Sequence, residues 1–335
     1  MAVGTIGVTD ERAEYDQSGP VLLRCTAPDA LSNLVAVLEL TADHQMRCSA
    51  ATRRPLAATV RLVEDVLVAG DYYDGDDVGY GEPIAAFAWP LLLQVGGLAQ
   101  LAGTKLELTV RGRAALVRPT YQALGALWDR WLTSVSHDEL ARVEAIKGQR
   151  RPSTLTSVRS RRAAVAAGLG AAEPGVWTDV DLLLEILATQ PRPLVVARSL
   201  IALWRLYLTD SYYGSLGHAG PAAWDVLEGR YALCVLFEYA ATLGVIDVAY
   251  TDPRGAREDY RGLWGADQYP WLSRYDGLVA VRVNELGAAI LHDPRALPGI
   301  RLPVPRREPG TPPGTETVDR RLGALDGLAL VSRPH

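Results

Sequence analysis

The chain holds 335 residues, 48% hydrophobic and 22% charged, with 34 basic against 39 acidic side chains and a net charge of −5. That length suits about two ordinary domains and buries enough apolar surface to fold without disulfides or a structural metal. Its three cysteines, Cys25, Cys48 and Cys234, stand far apart with no C-x-x-C pair, which excludes a recognisable zinc ribbon and fits a reducing compartment. The small net charge excludes the global field of a dedicated nucleic-acid binder. Only Lys105 and Lys147 are lysines among the basic residues, a bias expected of a GC-rich bacterial genome, so arginine is uninformative by type alone.

Asp10, Glu11, Glu14 and Asp16 precede any apolar run, so no secretory signal is read there. The longest uncharged stretch, Pro83 to Thr104, is broken by Pro90, Gly96 and Gly97 and reads as a buried helix with a turn rather than a membrane span. A cytoplasmic protein without a membrane partner is expected. Charge divides the chain into four blocks: net −8 over residues 1–83, +6 over 84–177, −5 over 178–295 and +2 over 296–335.

In the first block, Leu34 to Leu40 is expected as a strand ending at Thr41. Pro55 opens a helix to about Val68 through Leu56, Val60, Val63, Val66 and Leu67, and Gly70 ends it. The loop Asp71 to Glu82 carries four carboxylates within its first seven residues. It lacks calcium-loop spacing and is expected to be an acidic surface loop. A second apolar helix covers Ile84 to Val95. Leu98 to Leu101 leads through a turn into the strand Lys105–Thr109, and Thr109 caps a helix from Val110 to about Val117.

The run Gly97-Leu98 … Lys105-Leu-Glu-Leu-Thr109-x-x-Gly112-Arg113 resembles the end of a winged-helix domain, where a G-L turn leaves the third helix before a hairpin and an L-T-x-x-G helix start. With the W-x-x-W pair Trp128 and Trp131 that follows, residues 34–135 are similar to the tandem winged-helix region of bacterial XPB-type helicases and their associated proteins. The resemblance implies a DNA-processing context without a motor, since neither G-x-x-x-x-G-K-[ST] nor D-E-x-H occurs.

A helix follows over Pro119 to Val135, and Ser136 with Glu139 forms a capping box for another to about Ile146. Lys147 to Arg162 then carries six bases (Lys147, Arg150, Arg151, Arg159, Arg161, Arg162) and no acid. It is either an interdomain linker or the start of a basic helix. The third block repeats the earlier order. Thr178 caps a helix to Thr189, and a second helix spans Leu194 to Leu208. A long apolar helix reaches Leu243 and stops at Gly244. Strands follow at Val245–Tyr250 and Leu278–Val283, and Asn284 caps Glu285 to Leu291. The tail from Pro294 is proline-rich and extended, and Asp319 to Val331 could dock as one short element.

The expected architecture is α+β and predominantly helical: a winged-helix-like unit over 1–135, a helical basic linker over 136–177, a second winged-helix-like unit over 178–293 and a tail over 294–335. No P-loop, H-E-x-x-H or G-x-S-x-G is present, and the five histidines stand singly, so neither catalytic residues, a cofactor nor a metal is expected. Both third helices lack outward Arg, Lys, Asn or Gln and cannot read base edges. Phosphate contact falls to Lys147, Arg150, Arg151, Arg159, Arg161 and Arg162, which would bind backbone without sequence preference. The loop Asp252 to Gly277 carries Tyr260, Arg261, Trp264, Tyr269, Trp271, Arg274 and Tyr275, residues that suit a protein interface, a stacking platform or the cover of a core. The leading expectation is a non-enzymatic adaptor of a bacterial DNA-processing, regulatory or defence assembly. It would bind a partner protein and touch nucleic-acid backbone. The alternatives are a sequence-specific winged-helix regulator and an enzyme without a recognisable motif.

Overall fold

Pro28 stands in the first turn of α1 (Ala27–Ala42), a 16-residue helix that includes the run expected as a strand. A short apolar run cannot by itself separate strand from helix. Here Ala27, Ala30 and Leu31 extend the helical spacing upstream, and Leu34, Val37 and Leu38 complete a buried face. The computed structural model describes residues 21–73, 81–151, 153–301 and 330–331. With 48% helix and 12% strand it is a mixed helix-and-sheet protein with a small, largely antiparallel sheet.

The elements after α1 are α2 (Ala57–Val66), α3 (Ala85–Val95), the hairpin β2 (Ala99–Ala102) and β3 (Lys105–Leu108), α4 (Val110–Val117) and α5 (Tyr121–Thr133). Arg47 bridges to Lys105, so a third short extended piece joins the hairpin. The expected linker is α-helical over α6 (Val158–Ala171), which carries three of the six cations of its basic stretch. It leads to β4 (Trp177–Asp179), α7 (Val180–Thr189) and the four-residue α8 (Leu200–Leu203). Next comes a continuous helical rod centred on α9 (Arg230–Cys234), flanked by π-helical Asp225–Gly229 and Val235–Ala240. The strands β5 (Ile246–Tyr250) and β6 (Leu278–Val283) and the helix α10 (Glu285–His292) follow. With β1 (Leu22–Arg24) and β7 (Leu330–Val331) they complete a sheet of order β1-β5-β6-β4-β7, in which Arg24 of β1 pairs with Val248 of β5.

One arrangement occurs twice. Helix, short extended piece, helix, helix and hairpin describe α1 to β3, and α6 to β6 has the same order with α8 inserted before α9; β4 pairs with β6 as Arg47 does with Lys105 of β3. The local geometry repeats as well. Gly97 and Gly244 take left-handed backbone (φ 68° and 74°) to stop the two long helices. Thr109 and Asn284 cap the next helix through the backbone N–H of Gly112 and Gly287. A Cβ on Gly112 would lie 2.0 Å from the Leu98 carbonyl oxygen, and one on Gly287 1.9 Å from that of Val245, so both positions exclude a side chain.

The two third helices are inside the protein. Ala85 to Leu93 is buried throughout, as is Val226 to Tyr250, and α3 packs against Val235–Ala240. A single apolar cluster runs from Ala27 to Ile300, across the boundaries expected at 135, 177 and 293. Each fully buried large side chain in it, such as Trp89, Trp131 or Phe237, contributes about 1.5–3 kcal/mol. Pro83 to Thr104 gives α3 and a turn, and no helix among the described residues is long and apolar enough to cross a membrane.

Candidate partner-binding face

The short turn Glu139–Arg142 lies at the centre of the molecule and determines which arginines remain outside. Ser136 does not form the expected capping box. Asp138 caps the turn instead, accepting from Leu140 N–H, and Glu139 points inward with no exposure. Trp131 Nε1–H of α5 and the Tyr231 hydroxyl of α9 donate to Glu139 at 3.1 and 3.2 Å, and the Arg162 guanidinium lies 2.6 Å away. Burial opposes its charge, but His137 and Arg162 outweigh that cost and hold the carboxyl down to about 2. Arg142 points the other way. It lies 3.6 Å over the Phe87 ring of α3 and donates to Glu238 (2.9 Å), Glu82 (2.5 Å) and the Pro83 carbonyl (3.0 Å), joining the two third helices.

This interior corrects part of the expected phosphate set. Arg161 forms a two-pronged pair with Asp138 (2.8 and 2.6 Å), and Arg162 also donates to the backbone carbonyls of Trp131, Ser134 and His137; both are buried and cannot reach a phosphate. Arg159 is exposed but donates to the Thr133 carbonyl. Lys147, Arg150 and Arg151 remain at the surface. Among the described residues neither arginine has a carboxylate partner, and Lys147 donates to the Glu144 carbonyl.

The aromatic loop divides in the same way. Tyr260 and Tyr275 are fully buried, and Tyr275 donates to Glu238. Arg274 is buried and spends its guanidinium on the Glu82 carbonyl and on Glu144. These three therefore cover the core, contrary to the docking expectation. Tyr269 is half-buried with its hydroxyl 3.4 Å from the Leu208 carbonyl, and Trp271 is half-buried too. Arg261 is exposed and paired with Glu258. Trp264 alone presents a large ring to solvent, 53% exposed.

Trp264 is one end of a surface ribbon that sequence reasoning missed. Its ring lies 5.6 Å from Tyr213, which lies 5.0 Å from Tyr212. The Tyr212 carbonyl meets His218 Nε2 at 3.1 Å, and the His218 ring packs edge-on to Trp204 at 4.6 Å. Trp204 directly follows α8, whose Leu200 and Ile201 are 68% and 69% exposed. Local chemistry holds the ribbon in place. Asp210 accepts from the N–H groups of Tyr212 and Tyr213, Ser199 caps α8, and Gln268 donates to Thr209 to tie the Trp264 loop down. Beside α8 a groove of about 430 Å³ opens between Val195, Leu203, Pro221 and Trp224. Its base is Glu228, which accepts from Val196 N–H at 2.8 Å and which burial pushes up to about 7.

No family model, curated protein or solved structure matches this chain. The site therefore has to be read from its own residues. A helix expected over Leu194 to Leu208 would have hidden these apolar side chains, but only Leu200–Leu203 is helical because Arg198 and Lys147 pair with Thr154 and Tyr207 in extended segments. Two adjacent tyrosines in the polar turn Thr209–Gly214 were the available signal. The acidic loop is also partly relocated. Asp71 accepts from Ile84 and Ala86 N–H and anchors the start of α3, while Asp74, Asp76 and Asp77 lie outside the described residues. Among the described residues no group of His, Cys, Asp or Glu could hold a metal ion.

Proposed function

We propose that the chain is a non-enzymatic accessory protein, built from two winged-helix-like units, that docks a partner protein within a bacterial DNA-processing, regulatory or defence assembly. The observation carrying this reading is the continuous exposed ribbon from Leu200 through Trp204, Tyr212 and Tyr213 to Trp264. Aromatic and aliphatic side chains held rigidly in water on one face are the composition of an interface core. Two rival readings lose support. A regulator would read bases with its third helices, and both are buried against each other. An enzyme would converge its titratable groups on a cleft. Glu139, Glu238 and Cys234 converge without exposure, and burial pushes the Cys234 thiol well up, away from a reactive thiolate. Asp181, Glu185, Asp225 and Asp259 do line a cleft, so the enzyme reading loses less support than the regulator.

The test is Tyr213→Ala combined with Trp264→Ala. Affinity capture from the native host should lose its specific partner, while the melting curve changes by no more than about 1 kcal/mol because both rings are largely solvated. Retention of the same partner by the double variant would remove the ribbon from this role.

A further inference from the structure

We propose that the occupant of this face is an acidic amphipathic segment of the partner protein, seated with its apolar side chains on α8 and in the adjoining groove and its carboxylates on surrounding arginines. The inference rests on the partner-docking reading above and names the chemistry of what docks. Its basis is a juxtaposition that the fold creates between the remaining basic stretch and the apolar helix. Lys147 pairs with Tyr207, and Leu155 with Ala197, both antiparallel. The stretch that carries residues 150 and 151 is therefore pinned at both ends to the segment that carries α8, where Leu200, Ile201 and Trp204 are exposed. Gly148 lies against the Arg205 carbonyl, where a Cβ would come within 2.0 Å, so the two segments are in close contact.

These two segments carry four arginines: Arg150 and Arg151 on one, and on the other Arg198, which lines the groove, and Arg205, which follows Trp204. All four are exposed and have no carboxylate partner among the described residues. The interior arginines 142, 161, 162 and 230 each have one or two acids matched to them. The nearby acid Asp210 is turned back onto backbone N–H groups, and Glu228 is buried at the base of the groove. The face is thus apolar along its axis and cationic along the margin formed by residues 150, 151, 198 and 205, while beyond Trp224 the next cleft is lined by Asp181, Glu185 and Asp225; the complement of the arginine margin is acidic.

A single-stranded nucleic acid would also meet the arginines, and its bases could stack on Tyr213 and Trp264. The aliphatic half of the face argues for protein. Leu200 and Ile201 are more exposed than Trp204, and the groove beside them is walled by Val195, Leu203 and Pro221. Bases gain from ring faces, whereas aliphatic side chains spaced along a helix of a partner fill a groove of this kind.

The probe is a fluorescein-labelled peptide of about five helical turns with leucines at i, i+3, i+4 and i+7 spacing and glutamates elsewhere. The controls are the same peptide with lysine for glutamate and an oligothymidylate of equal charge. The full chain should bind the glutamate peptide and prefer it to both controls, with affinity falling as salt rises. Leu200→Ser with Ile201→Ser should weaken binding about tenfold or more, and so should Arg150→Ser, Arg151→Ser, Arg198→Ser and Arg205→Ser together. All six side chains are exposed, so an unchanged melting curve certifies the fold. Tighter binding of the oligothymidylate, equal binding of the lysine peptide, or no binding of any probe overturns the proposal. So does a dimer in light scattering that disperses with the Leu200 and Ile201 changes, since the occupant is then a second copy. Capture from the host separates the two levels of inference. A partner lost with Tyr213→Ala and Trp264→Ala but kept by the fourfold arginine variant leaves the docking reading standing and removes the acidic segment.

Discussion

Arg151 and Arg162 belong to one basic stretch and meet opposite fates. Arg162 faces inward from α6, bonded on every side by Glu139 and three backbone carbonyls. Arg151 stands in water beside α8. A guanidinium tolerates burial because its planar fork of donors can be satisfied completely by a carboxylate and carbonyls arranged around it. What separates the two residues is therefore the supply of matched acceptors. The short turn at 138–142 delivers Asp138 and Glu139 to α6 and nothing to residues 150 and 151. A dense run of arginine is thus no guide to a binding surface until its acids have been located.

The comparison is sharpest where one partner of the buried pair is removed. Arg162→Ala leaves Glu139 charged inside the core, and the expected loss is about 3–5 kcal/mol, read as a large fall in the chemical-denaturation midpoint. A midpoint close to that of the parent would mean that water reaches Glu139. An intermediate effect is expected at Glu228, whose titration bears on the segment leading to α8. Its folded pKa of about 7 lies above the usual glutamate value, so its contribution is fully present below about pH 4.5 and is lost as pH rises through 7. Glu228→Gln keeps an acceptor for Val196 N–H and should be more stable than the parent by about 2–3 kcal/mol at pH 8. The two proteins should converge near pH 5. Parallel stability curves across that range would assign Glu228 an ordinary pKa. The smallest effect belongs to Arg151. Arg150→Ser with Arg151→Ser should change stability by no more than about 0.5 kcal/mol. A larger loss in thermal melts would reveal a buried contact for one of them.

The parts of this fold legible in the sequence are those fixed within a few residues. Thr109 and Asn284 as caps, Gly97 and Gly244 as stops, and the strands at 105–108, 246–250 and 278–283 follow from local chemistry and alternation. The structure departs from local expectation where a distant partner decides. Leu34 to Leu40 has strand-like content, but its helix is set by Pro28 and by the core it faces. Glu139 satisfies a capping-box pattern, yet three separate helices compete for its carboxylate and win. Of the aromatic loop, Trp264 alone remains well exposed, because whether Tyr260 or Tyr275 covers a core depends on Arg230, Glu238 and the groups that meet them. The exposed ribbon is illegible for the complementary reason: Leu200, Ile201 and Trp204 look like core residues by type, yet the fold leaves them largely exposed.

The pairing of Arg24 with Val248, 224 positions along the chain, also sets a clock. At ribosomal rates of about 5–20 residues per second, β1 waits roughly 11–45 s for β5 to be made. Helix α3 waits as well, since it packs against Val235–Ala240. Throughout that interval an apolar helix and an unpaired strand edge are open to whatever else is nearby. Shielding the nascent chain is therefore a requirement that this topology places on the cell that makes it.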